Sequence, residues 1–260
     1  GLVHVRQMQR LESLSLEAPI TDKGLEYLID LPALMRFMLV GSGFTDESAQ
    51  SLAKFSRLKS ISLAGTDITD AGIAVLAEAN ATQSQQLGFL SIRSNVLTDA
   101  GFCQLAKFTG VEELHVRSGN LSDGGCEAIS KMPRLKELNV QLGERYPSSS
   151  NYFGDKITEK GFQHLTVLRQ LEVLDLENMK LNSVCCEHIA KMKSLRELRF
   201  TWTTISKEEV DWLGEQLPET FICRVNGGVT HIPRNVGSAD HYRRMEMQLE
   251  AYRRKNADGN

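Results

Sequence analysis

One apolar spacing recurs along the whole chain and restricts its fold more than any other feature. An apolar residue is followed by a second three positions later and a third two positions after that. The pattern reads Leu11/Leu14/Leu16, Leu34/Phe37/Leu39, Leu58/Ile61/Leu63 and Leu87/Leu90/Ile92, then Val111/Leu114/Val116, Leu135/Leu138/Val140, Leu171/Leu174/Leu176 and Leu195/Leu198/Phe200. Successive first positions lie 23, 24, 29, 24, 24, 36 and 24 residues apart, so a unit of 24 carries two insertions. A fixed period of this length means stacked supersecondary units, because one unit is too small to bury its own apolar face.

The second half of each unit repeats as well. It reads ITDKGLEYL from Ile20, FTDESAQSL from Phe44, ITDAGIAVL from Ile68 and LTDAGFCQL from Leu97. Weaker copies start at Leu121, Ile157, Leu181 and Ile205. Thr or Ser supplies an N-cap oxygen, and the Asp after it suits the positive end of a helix. Gly24, Gly72, Gly101, Gly125 and Gly161 allow close backbone approach. Each unit therefore predicts a short strand with period-two alternation, a turn and a helix of about three turns.

With both halves in view, the chain resembles leucine-rich-repeat proteins. More narrowly, it resembles the ribonuclease-inhibitor-like and cysteine-containing classes and bacterial repeats of the ITDAGL type. The resemblance covers residues 1–225. It implies an α/β horseshoe solenoid, with a parallel sheet on the concave face and helices on the convex face. Gly1–Leu11 aligns with Gly24–Leu34, so the solenoid is expected to start in the middle of a repeat. Residues 217–225 read as a last edge strand. Residues 226–260 read as a linker and a helical tail with Tyr242, Met245, Leu249 and Tyr252 on one stripe.

Charge and motifs narrow the function. Lys+Arg 30 against Asp+Glu 33 leaves a net charge of −3, so no global basic field argues for nucleic acid. No apolar run has the roughly 20 residues of a membrane-spanning helix. No HExxH, CxxC, phosphate loop or GxSxG occurs, so no enzyme, cofactor or metal site is expected. Five cysteines in a long chain are not a disulfide framework, which favours a reduced, cytoplasmic setting over secretion. Cys103, Cys126 and one of Cys185/Cys186 are expected at an inward helix position, as core filler.

The residues between the apolar strand positions should face outward on a sheet roughly 34 Å long. They propose a basic spot at Arg93, His115 and Arg117 beside an acidic spot at Asp175 and Glu177, with Phe89, Arg199 and Trp202 as further anchors. Trp, Tyr and Arg dominate binding hot spots. The 36-residue spacing places Tyr146, Tyr152 and Phe153 in a rim loop at residues 143–155. The expectation is a non-catalytic scaffold that binds a protein partner through its concave face and this loop. Two alternatives are the substrate-receptor arm of a ubiquitin ligase, with an F-box upstream, and a structural subunit of a large assembly. Oligomeric state is not encoded in these patterns.

Overall fold

Thr, Ser or Asn caps and an Asp, Glu or Ser at the next position start most of the helices, and five-residue alternating segments form the strands. In the computed structural model, which describes residues 2–17, 21–29, 31–83, 86–143, 155–226 and 229–231, these elements alternate along the chain. The strands are β1 (Ser13–Glu17), β2 (Arg36–Val40), β3 (Ser60–Ala64), β4 (Phe89–Arg93), β5 (Glu113–Arg117), β6 (Glu137–Gln141), β7 (Val173–Glu177), β8 (Glu197–Thr201) and β9 (Phe221–Asn226). All nine run parallel in sequence order. The register never slips across β1 to β8: Ser15, Met38, Ser62, Ser91, His115, Asn139, Asp175 and Arg199 stand in one row. The sheet does not end at β9, as the sequence reading expected. A tenth strand, β10 (Val229–His231), lies within the segment read as linker and pairs antiparallel with β9.

The helices are α1 (Leu2–Val5), α2 (Asp22–Leu25), α3 (Asp46–Leu52), α4 (Asp70–Thr82), α5 (Asp99–Cys103), α6 (Asp123–Ile129), α7 (Glu159–Leu165), α8 (Ser183–Ile189) and α9 (Lys207–Gln216). Most are shorter than the three turns expected. Within 24 residues the chain must also form a strand and two crossings, so the last helical turn tightens into i→i+3 bonds such as Phe55 N–H to the Leu52 carbonyl. The exception explains the rule. The 29-residue spacing lengthens α4 to 13 residues, and Asn80 Oδ1 then accepts from Leu87 N–H at 2.8 Å as the chain re-enters the sheet.

Inward strand residues form continuous apolar rows, from Phe37 through Ile61, Leu90, Leu114, Leu138, Leu174 and Leu198 to Ile222, all buried. On the helix side Phe44, Phe102 and Phe162 are also buried. An α/β horseshoe solenoid follows.

A polar ladder ties helix to helix. The aspartate that opens each of α2 to α6 accepts from the capping residue of the next repeat. Asp22 takes Thr45 N–H at 2.8 Å and its hydroxyl at 2.9 Å. Asp46 takes the same groups of Thr69 at 2.8 and 2.7 Å, and Asp70 those of Thr98 at 2.9 and 2.5 Å. Asp99 takes the Ser122 hydroxyl at 2.8 Å, and Asp123 takes Thr158 N–H and hydroxyl, both at 2.7 Å. The capping oxygen meanwhile accepts from its own helix, as Thr98 does from Ala100 N–H at 3.2 Å. The carboxylate fills the space beside the following helix. A Cβ on Gly101 would collide with Asp70 Oδ1, and one on Gly161 with Asp123 Oδ1. Glycine is required there by a neighbour 24 or more residues earlier.

Gly101→Ala should therefore destabilise the protein by about 1–3 kcal/mol through overpacking. Asp70→Ala should also destabilise it, by about 1–3 kcal/mol, through loss of the charged hydrogen bonds. The double variant should cost clearly less than the sum, since removing the carboxylate removes the collision. Chemical unfolding of the four proteins checks this; strict additivity rejects the steric account.

Candidate functional site

Period-two alternation exposes three rows of side chains on the concave sheet. The last row runs Glu17, Val40, Ala64, Arg93, Arg117, Gln141, Glu177, Thr201. Arg93 and Arg117 are direct register partners on β4 and β5. They border a shallow cavity of about 350 Å³ at the C-terminal ends of these strands, which Gly41, Gly65 and Asn95 help to line. The turns after β2 and β3 adopt positive φ at Gly41 (124°) and Gly65 (64°). After β8 the corresponding residue is Trp202, also at positive φ (52°). A bulky side chain rarely takes that conformation. Trp202 is nevertheless 38% exposed.

The acidic spot inferred from sequence does not exist as such. Asp175 is only 6% exposed. It lies 3.6 Å from Arg199 Nη1 and accepts from Asn139 Nδ2 at 3.1 Å. Arg199 is in turn held by Glu197, with Nη2 2.6 Å from Oε1 and Nε donating to it at 2.8 Å. Asp175 and Arg199 thus compensate each other within the sheet and do not present opposite charges to a partner. Alternation puts both on the concave face, but Arg199 and Asn139 contact the aspartate from the two flanking strands. Burial pushes the Asp175 carboxyl up to about 6, against the pull of Arg199.

His115 is corrected as well. It belongs to no basic spot, because two glutamates flank it. Its Nε2 lies 3.0 Å from Glu113 Oε1 and 3.5 Å from Glu137 Oε1. Phe89 packs edge-on against the imidazole, with ring centroids 5.1 Å apart. The ligand atoms of Glu113, His115 and Glu137 all lie within 4.8 Å of one another, a geometry that could hold a metal ion. The sequence reading expected no metal site and named neither glutamate as a candidate site residue. The signal was present: Glu137 is Glu113 plus one 24-residue period, and His115 is two positions further along the same strand.

Tyr146, Tyr152, Phe153 and the tail residues Tyr242, Met245, Leu249 and Tyr252 lie outside the described residues. The thiols divide. Cys126, Cys185, Cys186 and Cys223 are buried, whereas Cys103 is exposed, contrary to its expected core role. The inward position after Gly101 belongs to Phe102, and Cys103 is one residue further round the helix. Burial, aided by Asp123 and Asp99, pushes the Cys126 thiol up to about 12; burial, aided by Glu209, does the same for Cys186.

A leucine-rich-repeat family model matches residues 57–77 and 111–130. The fold is that of a leucine-rich-repeat solenoid. Its solenoid is similar to an internalin of Listeria monocytogenes, with a TM-score of 0.52 at 16% identity, over 85% of this chain and 56% of that one. It is also similar to TLR13 in its complex with ssRNA13, with a TM-score of 0.50 at 17% identity, over 85% of this chain and 30% of that one. At these identities the likeness is one of fold, and the chain spans little more than half of the internalin. No curated protein matches it in sequence. Leucine-rich-repeat proteins are generally non-catalytic interaction modules, and none of the described helices is long and apolar enough to cross a membrane.

Two outcomes follow from the site. An aspartate in the unfolded chain titrates near 3.8, and Asp175 in the folded protein near 6. Between these values only the folded state holds the proton, so this group's contribution lowers stability as pH rises from about 4 to 6. Asp175→Asn should remove that component, changing the wild-type-minus-variant difference by about 1–3 kcal/mol between pH 4 and 7. Parallel unfolding profiles would reject it. Separately, a thiol reagent should label Cys103 quickly in the native protein and leave Cys126, Cys185 and Cys186 unmodified until unfolding, as peptide mapping by mass spectrometry reads directly.

Proposed function

We propose that this protein is a scaffold that docks a protein partner along its concave sheet and the turn edge beside it, with Arg93, Arg117 and Trp202 as anchors. Trp202 carries the reading. The backbone turn it occupies suits glycine or asparagine, as at Gly41, Gly65 and Asn178, yet a large indole is held there in solvent. Strain kept at an exposed position calls for a functional reason, and a preordered exposed tryptophan is a strong binding anchor. Arg93 and Arg117, side by side at the cavity rim, supply donors for an acidic or carboxylate-bearing segment of the partner. Arg117 and Thr201 are three strands apart, about 14 Å at strand spacing. One partner segment lying across the sheet reaches both anchors. Asp175 and Arg199 support this surface from within, by holding each other.

The test is capture of a partner with the wild-type chain, followed by binding kinetics with variants. Arg93→Glu with Arg117→Glu should slow association and reduce its salt dependence. Trp202→Gly should speed dissociation, while its melting temperature stays near wild type because the strained turn is relieved. A partner whose rate constants are the same with all variants binds elsewhere, and the reading fails.

A further inference from the structure

We infer that Glu113, His115 and Glu137 form a binding site for one divalent first-row metal ion of the Zn2+ class on the concave face. No docking partner is needed for this inference. Glu113 and His115 stand at i and i+2 of β5, hence on one face, and Glu137 is the register partner of Glu113 on β6. Two carboxylates placed directly opposite each other on neighbouring strands repel. Here the imidazole nitrogen sits between them.

The distances fit coordination. Bonds of about 2.0–2.2 Å to nitrogen and carboxylate oxygen place neighbouring ligand atoms roughly 3.0–3.5 Å apart at octahedral or tetrahedral angles. The separations from His115 Nε2 are 3.0 and 3.5 Å. Direct hydrogen bonding does not account for them. Nε2 is closed to solvent, and neither glutamate oxygen meets it with hydrogen-bond geometry. The three ligand atoms cluster within 4.8 Å of one another.

The donor set selects the ion. One neutral imidazole and two carboxylates compensate a 2+ charge completely. Nitrogen ligation favours Zn2+, Fe2+ or Co2+ over Mg2+ and Ca2+, which take oxygen ligands, and no thiolate is present to favour Cu+. Phe89 against the imidazole restricts its orientation. The three side chains are about a third exposed, at 34–40%, so at least one coordination position opens onto the concave face.

The test uses the full 260-residue chain, titrated with Zn2+ by calorimetry and with Co2+ by visible absorption. Expected are one saturable equivalent per chain and cobalt d–d bands without a thiolate charge-transfer band. His115→Ala and Glu137→Gln should each weaken binding by at least about tenfold, whereas His4→Ala should not change it. In the unmodified protein, Co2+ should shift or broaden the ring signals of one histidine first, which removes any dependence on variants folding correctly. Absence of a saturable equivalent, a thiolate band, or binding that persists in His115→Ala would overturn the assignment.

Discussion

The structure depends on a hydrogen bond that joins repeats and not residues within one. Each helix-opening aspartate, from Asp22 to Asp123, accepts from the cap of the helix that follows it. A helix of five to seven residues has too few internal bonds to be stable alone. The ladder supplies what these helices lack, because it satisfies amide and hydroxyl donors at each N-terminus while the capping oxygen still serves its own helix. In Asp22, burial pushes the carboxyl up, but bonds from Ser48 and Thr45 outweigh it and hold the group below its ordinary range. Gly72, Gly101 and Gly161 are the steric counterpart, leaving room for the preceding carboxylate.

Because the apolar rows throughout, and the ladder from α2 to α7, hold the units in the same orientation, strand positions repeat without slip. Residues one period apart become neighbours at about 4.8 Å. That regularity brings Arg93 beside Arg117 and Glu113 beside Glu137. Like charges in register are unfavourable to the sheet by themselves. In the proposed reading the arginine pair meets an acidic group of a partner, and the glutamate pair with its histidine holds a cation. The concave face thus carries two adjacent regions of opposite chemistry on β4–β6.

Where reading by position failed, the cause was contact between neighbouring strands or helical phase. Asp175 alternates outward as expected, yet Arg199 and Asn139 reach over it from both flanking strands and bury it. Cys103 was assigned inward by analogy with Cys126. The two differ by one residue relative to the glycine, and one residue in a helix is a rotation of about 100°. Trp202 was recognised as an anchor, but its left-handed backbone could not be read from composition.

The sequence alone determined the architecture, since an apolar period of 24 with alternating strands and capped helix starts has only the stacked solenoid as a way to bury its apolar residues. It also determined the rows, because Arg93 with Arg117 and Glu113 with Glu137 follow from the period itself. The tertiary structure decided which of these groups stay exposed and which pair with each other. That outcome depends on the reach of long side chains across strands and on which carboxylates meet a donor one repeat away. Such contacts join residues 23 to 38 positions apart, and no local pattern encodes how their side chains meet.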